Sequence, residues 1–115
     1  LPSEQVDQLA RIAIAQTYTK GEIIFQAGDE GSGFFIVVSG RVKVYKTSPE
    51  GKEQILHLFV AGDHFAEVPA FDGQNFPASA MALETSELLF FPRTSFLNLL
   101  QEQPSLAIKI LGVFA

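Results

Sequence analysis

The sequence predicts a mainly β protein, an antiparallel sandwich or barrel with one helix before it and helices after it. From Ala15 to Pro92, short runs rich in Ile, Val and Phe are separated by glycines about every ten residues, which is typical of antiparallel strands joined by turns. Before and after this region, apolar residues recur with a helical period instead. These two changes of period define the predicted order of helix, β region and helices.

The first predicted element is a helix over residues 1–14. Ser3 is a suitable N-cap, because its hydroxyl can accept a hydrogen bond from an unpaired backbone N–H. Glu4 and Asp7 suit the positive end of the helix dipole. One face of this helix is predicted to be apolar, and it carries Val6, Leu9, Ala10 and Ala13.

Within the β region, the clearest strand is Arg41 to Lys46, in which polar and apolar residues alternate. Such alternation predicts a strand with one face in the core and one face in water. Residues 49–51, Pro-Glu-Gly, predict a turn, and the chain returns as a strand from Glu53 to Val60.

The helical period resumes after Pro92. Thr94 or Ser95 can cap a helix that carries Phe96, Leu97, Leu99 and Leu100. Pro104 fits the first turn of a second helix, whose apolar side contains Ala107, Ile110, Leu111 and Phe114. Because this helix is still apolar at Ala115, we interpret it as the beginning of a longer helix, with a helix that only docks on the β region as the alternative.

Composition limits the possible classes of protein. The chain has 115 residues, enough for one domain with its own core. Because cysteine is absent, a disulfide framework, a thiolate metal site and an iron–sulfur cluster are excluded. No apolar run approaches the ~20 residues of a membrane span, and the acidic amino end does not resemble a signal peptide, so we expect a cytoplasmic protein without a membrane partner. The net charge of −5 argues against DNA binding by this segment itself.

The most informative stretch is GDHFAEVPAFDGQNFPASAMA, from Gly62 to Ala82. There is no lysine or arginine between Lys52 and Arg93, while this interval contains six acids. The stretch resembles the phosphate-binding cassette of cyclic nucleotide-binding domains of the CRP/FNR type. Three further stretches follow that family's order and spacing: GEIIFQAGDEG, FFIVVSGRVKVYK and ETSELLFFPRTSFLNLL. The resemblance covers nearly the whole chain and implies a double-stranded β-helix jelly roll.

In that family, Phe-Gly-Glu begins the cassette, the glutamate accepts from the ribose hydroxyl, and an arginine with a Ser or Thr holds the cyclic phosphate. Here Phe65 and Glu67 match, but Ala66 replaces the glycine, Phe76 stands in the place of the arginine, and Pro77 replaces the hydroxyl residue. Because arginine contributes a charge-assisted pair to the phosphate, the resemblance implies that cyclic AMP binding is weak or absent.

The altered cassette predicts an apolar ligand site instead. The candidate ligand-binding residues are Phe65, Ala66, Glu67, Val68, Phe71, Phe76, Pro77, Ala78, Ser79 and Met81. The alternative is that these side chains fill the cavity themselves. Glu67 either faces the cavity or only faces solvent in the first turn of a helix, and Ser79 either donates a hydrogen bond to Glu67 or is a simple strand residue.

Two ligand classes remain open: a flat apolar or haem-like compound, and an acidic or aromatic metabolite. A cassette with FAE and no arginine is similar to that of the haem-containing nitric-oxide sensors of this family, which regulate nitrate respiration. His57 or His64 could supply a neutral imidazole to haem iron, although a single strand histidine is more often structural.

We therefore expect residues 1–115 to be a single effector-sensing domain of a CRP/FNR-type transcriptional regulator, with a small molecule as its effector. The resemblance implies that residues 104–115 begin a helix that forms a homodimer, and that a helix-turn-helix domain downstream binds DNA. We do not expect an enzyme, since the chain has no nucleophile, phosphate-loop or metal motif. The alternatives are a cyclic nucleotide-binding module of a kinase or channel, a ligand-free dimerisation module, and a cupin-type metal enzyme.

Overall fold

Eight strands form two antiparallel sheets in the computed structural model, which describes the backbone of residues 3–114 and the side chains of residues 4–67, 69 and 72–109. The strands are β1 (Ile14–Tyr18), β2 (Ile23–Phe25), β3 (Gly33–Ser39), β4 (Arg41–Thr47), β5 (Glu53–Val60), β6 (His64–Phe65), β7 (Ser79–Ala82) and β8 (Ser86–Pro92). One sheet has the order β1-β8-β3-β6 and the other the order β2-β7-β4-β5. The predicted mainly β fold is confirmed.

Four helices flank or interrupt the sheets within residues 3–114: α1 (Ser3–Ile12), α2 (Glu67–Asp72), α3 (Arg93–Glu102) and α4 (Pro104–Phe114). Helix α4 begins at Pro104, as predicted. Helix α3 begins at Arg93, directly after Pro92, so the prediction that Thr94 or Ser95 caps it is wrong. No helix in the described part of the chain is both long enough and apolar enough to cross a bilayer.

Helix α1 buries a different face from the one that its apolar residues predicted. Val6 and Ala10 are exposed, whereas Gln5 is buried and Leu9 packs against the core. The reason is a polar contact with α4: the Gln5 Nε2 atom donates to the Ser105 Oγ atom at 3.2 Å, and Lys109 donates to the Gln5 Oε1 atom at 3.3 Å. Burial of Gln5 is tolerated because both ends of its amide have partners.

The β4–β5 hairpin has the predicted turn, but one polar side chain of β4 is less exposed than the alternating pattern indicated. The Lys43 side chain is only 13% exposed, because its Nζ atom lies 2.6 Å from the Glu53 carboxylate and 4.9 Å from the centre of the Tyr45 ring. Strand β5 also contains one extra residue opposite the Val44–Tyr45 step: Ile55 pairs with Tyr45 and His57 pairs with Val44. Such a bulge breaks the strict alternation of side chains along β5.

Strand β3 divides the core into two clusters, because successive side chains of a strand point to opposite faces. On one face, Phe35 and Val37 join a cluster between the two sheets. On the other face, Phe34 packs with Phe91 of β8 and with the buried side chains of α3 and α4. The cavity described below lies on the Phe35 side, and the carboxyl-terminal helices lie on the Phe34 side.

Candidate functional site

A cavity of about 330 Å³ lies between the two sheets and α2. Strands β2, β4, β5 and β6, helix α2 and residues 76–78 contribute its wall, which consists of Phe25, Val44, Phe59, His64, Phe65, Ala66, Glu67, Pro69, Phe76, Pro77 and Ala78. This volume lies at the small end of ligand pockets, whose volumes are about 300–1,000 Å³. The aromatic side chains therefore line a cavity rather than fill it.

Phenylalanine rings form one continuous side of the cavity. The Phe76 ring is stacked on Phe25, with 3.9 Å between their centres and 17° between their planes. Phe65 lies 6.2 Å from Phe25, and Phe59 is stacked on Phe65 at 5.0 Å and 18°. These contacts fix the positions of the rings, so this side of the cavity is aromatic and apolar.

The polar end of the cavity is a pair of side chains, His64 and Glu67, whose Nδ1 and Oε1 atoms form a hydrogen bond. An ionised carboxylate can only accept, so the imidazole Nδ1 donates. The Glu67 side chain is 18% exposed and the His64 side chain 34% exposed. Glu67 thus lines the cavity, and its donor is His64. Of the two alternatives for Ser79, the donor to Glu67 is wrong and the strand residue is correct.

Six of the ten candidate ligand-binding residues line the cavity: Phe65, Ala66, Glu67, Phe76, Pro77 and Ala78. Ser79 and Met81 do not, because they alternate along β7 with the buried alanines 78, 80 and 82 and lie on its other face. The Ser79 Oγ atom accepts from the backbone N–H of Ala27 at 2.9 Å. The side chains of Val68 and Phe71 lie outside the described residues.

Five lining residues were not among the ten candidates: Phe25, Val44, Phe59, Pro69 and His64, of which His64 was considered only as an iron ligand. Phe25 and Val44 come from strands far from the cassette in sequence. His64 immediately precedes the cassette, and its spacing of three residues from Glu67 was the one local signal that could have identified it.

Ala66 adopts a left-handed backbone conformation, with φ 70° and ψ 22°, immediately before α2. This conformation costs an L-residue other than glycine roughly 1–2 kcal/mol. The chain therefore retains, with a strained alanine, a backbone turn at the position where the resemblance implies glycine. Strain held at a cavity wall is common at functional sites.

Lysine and arginine are absent from the described wall of the cavity. Lys43 is paired with Glu53, and the Arg41 Nε atom lies 3.4 Å from the Glu84 carboxylate. The Arg93 guanidinium lies against Gly73, at the carboxyl end of α2, and does not line the cavity. His64 and Glu67 are the ionisable groups of the described wall.

The described wall is a poor match for a haem. Of the two histidines considered as iron ligands, His57 does not line the cavity, and its ring packs against Phe59 with 4.3 Å between ring centres. His64 does line it, with Nδ1 held by Glu67. A haem also carries anionic propionates, and the described wall offers them a carboxylate rather than a cation. Among the residues described, no group of three or more His, Cys, Asp or Glu side chains could hold a metal ion.

Residues 15–103 match the cyclic nucleotide-binding domain family. The chain belongs to this family. It is 33% identical to the cyclic AMP receptor protein of Thermus thermophilus over 115 residues, which are all of this chain and 53% of that protein. The chain therefore spans about half the length of this relative.

Two solved structures support the assignment. The catabolite activator protein of Thermus thermophilus has a TM-score of 0.85 at 32% identity, over 99% of this chain and 53% of that one. The sensor domain of the transcriptional regulator DNR from Pseudomonas aeruginosa has a TM-score of 0.85 at 31% identity, over 99% of this chain and 77% of that one. The predicted jelly roll and the predicted closeness to CRP/FNR-type regulators are confirmed, and the domain is of a regulatory type.

Proposed function

We propose that this chain is the effector-sensing domain of a CRP/FNR-type transcriptional regulator and that its cavity does not hold a cyclic nucleotide tightly. The observation that carries the proposal is the described wall of the cavity, which is aromatic and apolar, carries Glu67, and offers no lysine or arginine to an anion. The sequence supports the same conclusion, since residues 53–92 contain no lysine and no arginine.

A bound cyclic phosphate would lose its main partner in this cavity. Phe76 is buried and stacked on Phe25, and Pro77 has no backbone N–H to donate. Hydrogen bonds to charged groups contribute roughly 1.5–3 kcal/mol each, and a buried anion without them costs more. Such a loss corresponds to about tenfold to hundredfold in affinity, before repulsion by Glu67 is added.

The first prediction is that the protein binds cyclic AMP no more tightly than millimolar in calorimetric titration. Phe76→Arg combined with Pro77→Ser is expected to lower the dissociation constant by about tenfold or more, because it introduces the charged and hydroxyl partners. Phe76→Gln with Pro77→Ser is the matched control, since it opens the same space with a neutral donor and should give a smaller gain. Low-micromolar binding of cyclic AMP by the unchanged protein would refute the proposal.

We further propose that α4 begins the dimerisation helix of a longer protein and that a downstream helix-turn-helix domain binds DNA. The proposal for α4 is supported by the difference in exposure between its two sides. Leu106 is 0% exposed and docks on the core, whereas Ile108 is 74% exposed. The docking alternative thus accounts for only one side of the helix. The length of the Thermus relative, of which this chain covers 53%, leaves room for further domains.

The second prediction concerns this helix. The full-length protein is expected to sediment as a dimer, and Ile108→Lys should weaken the dimer about tenfold or more, because burying an isoleucine contributes about 1.5–3 kcal/mol. Gln101→Lys adds the same charge at an exposed position of α3, outside the proposed dimer interface on α4, and should leave the dimer unchanged. A monomeric full-length protein at high concentration would contradict the dimer helix.

A further inference from the structure

We propose that the effector is a small planar aromatic amine, packed against the phenylalanine wall with its ammonium group on Glu67. This inference rests on the proposed function, because it takes the cavity to be the effector site. It goes further by stating the charge and shape of the effector.

The shape of the ligand follows from the wall. Four neighbouring rings line one side of the cavity. The ring centres of Phe76 and Phe25 are 3.9 Å apart, those of Phe25 and Phe65 are 6.2 Å apart, and those of Phe65 and Phe59 are 5.0 Å apart. The rings of the first pair and of the last pair are nearly parallel. Aromatic rings contact one another favourably in offset-stacked or edge-to-face arrangements, so a wall of phenylalanines favours an aromatic ligand. A cavity of about 330 Å³ has room for a compound of one or two rings and little more.

The charge of the ligand follows from the ionisable groups. Of the eleven described lining residues, only Glu67 and His64 can ionise. The described wall thus offers a ligand one carboxylate and no lysine or arginine. The faces of aromatic rings also attract cations, through the negative potential above the ring. Both features favour an ammonium group and disfavour a carboxylate or phosphate.

The position of the ammonium group follows from the His64–Glu67 hydrogen bond. This bond occupies the Oε1 atom of Glu67 and orients its carboxylate at the cavity wall. A carboxylate has about four acceptor sites on two oxygens, so Glu67 retains capacity to accept from a ligand N–H. His64 is therefore a positioning residue, and Glu67 is the group that contacts the ligand.

The test uses three compounds that share one ring and differ in the charge of the polar end: 2-phenylethylamine, 2-phenylethanol and phenylacetate. Calorimetric titration of the full-length protein is expected to rank the amine first, with the alcohol about tenfold weaker and phenylacetate weakest. Glu67→Gln should weaken the amine about tenfold and leave the alcohol nearly unchanged, since it removes the charge and keeps the shape. Asp72→Asn is the matched control: Asp72 is an exposed acid of the same helix that does not line the cavity, and its loss should not change the ranking.

Three outcomes would overturn the inference: tighter binding of phenylacetate than of the amine, equal affinities for all three compounds, or no binding of the amine at millimolar concentration. An amine preference that survives Glu67→Gln but is lost in Asp72→Asn would also overturn it, because the charge would then act from outside the cavity. Failure of the proposed function has a different signature, namely tight cyclic AMP binding that displaces the amine. Thermal melting of each variant checks that it is folded.

Discussion

Phe34→Ala is expected to lower the free energy of unfolding by about 3–5 kcal/mol, as the removal of a fully buried phenylalanine does when its neighbours cannot close the gap. The Phe34 side chain is 2% exposed. Its ring is stacked on Phe91, with 4.8 Å between centres and 7° between planes, and meets the edge of Phe96 at 4.8 Å and 82°. Urea denaturation followed by circular dichroism measures the loss.

This substitution also tests how the helices are held on the sheets. Phe34 joins β3 to β8 and α3, so its removal leaves a cavity where the three elements meet. Val38→Ala is the matched control on the same strand, because Val38 is 47% exposed and should cost less than about 1 kcal/mol. If Phe34→Ala costs no more than Val38→Ala, the Phe34 cluster does not stabilise the fold as inferred from its burial.

Gly33→Ala is expected to lower the free energy of unfolding by about 3 kcal/mol or more, through a backbone overlap that no rotamer can relieve. A Cβ atom at residue 33 would lie 2.2 Å from the Phe91 carbonyl oxygen and 2.6 Å from the Phe90 ring. Gly33 pairs with Pro92 at the end of the β3–β8 ladder, so the two strands would have to separate. The same denaturation experiment measures the effect.

The control for Gly33→Ala is Gly51→Ala, in the turn between β4 and β5. A Cβ atom there would meet no heavy atom within 4 Å, and the cost comes only from the positive φ of 83°. That cost is about 1–2 kcal/mol. Equal losses in the two variants would mean that β3 and β8 move apart more easily than their close approach indicates.

The sequence by itself determined the fold class and the absence of lysine and arginine from the cassette. Spacing of glycines and the change of hydrophobic period depend on the local chain, so they identified the β region, the turn at residues 49–51 and the start of α4 at Pro104. The absence of Lys and Arg from residues 53–92 is a property of composition. It bears on the chemistry of the cassette without any knowledge of side-chain positions.

Only the tertiary structure decided which side chains meet at the cavity. Phe25, Val44 and Phe59 come from three strands that are distant in sequence from the cassette, and pairing between strands is a non-local event that no local pattern encodes. The alternation of side chains along β7 places Ser79 and Met81 away from the cavity, although they belong to the same segment as the lining residue Ala78. The hydrogen bond between His64 and Glu67 likewise required the path from β6 through the left-handed Ala66 into α2. A shift of one residue in the pairing of a strand moves each of its side chains to the opposite face of the sheet. The composition of the site therefore depends on the pairing register of the strands, which is set by the packing of the whole domain.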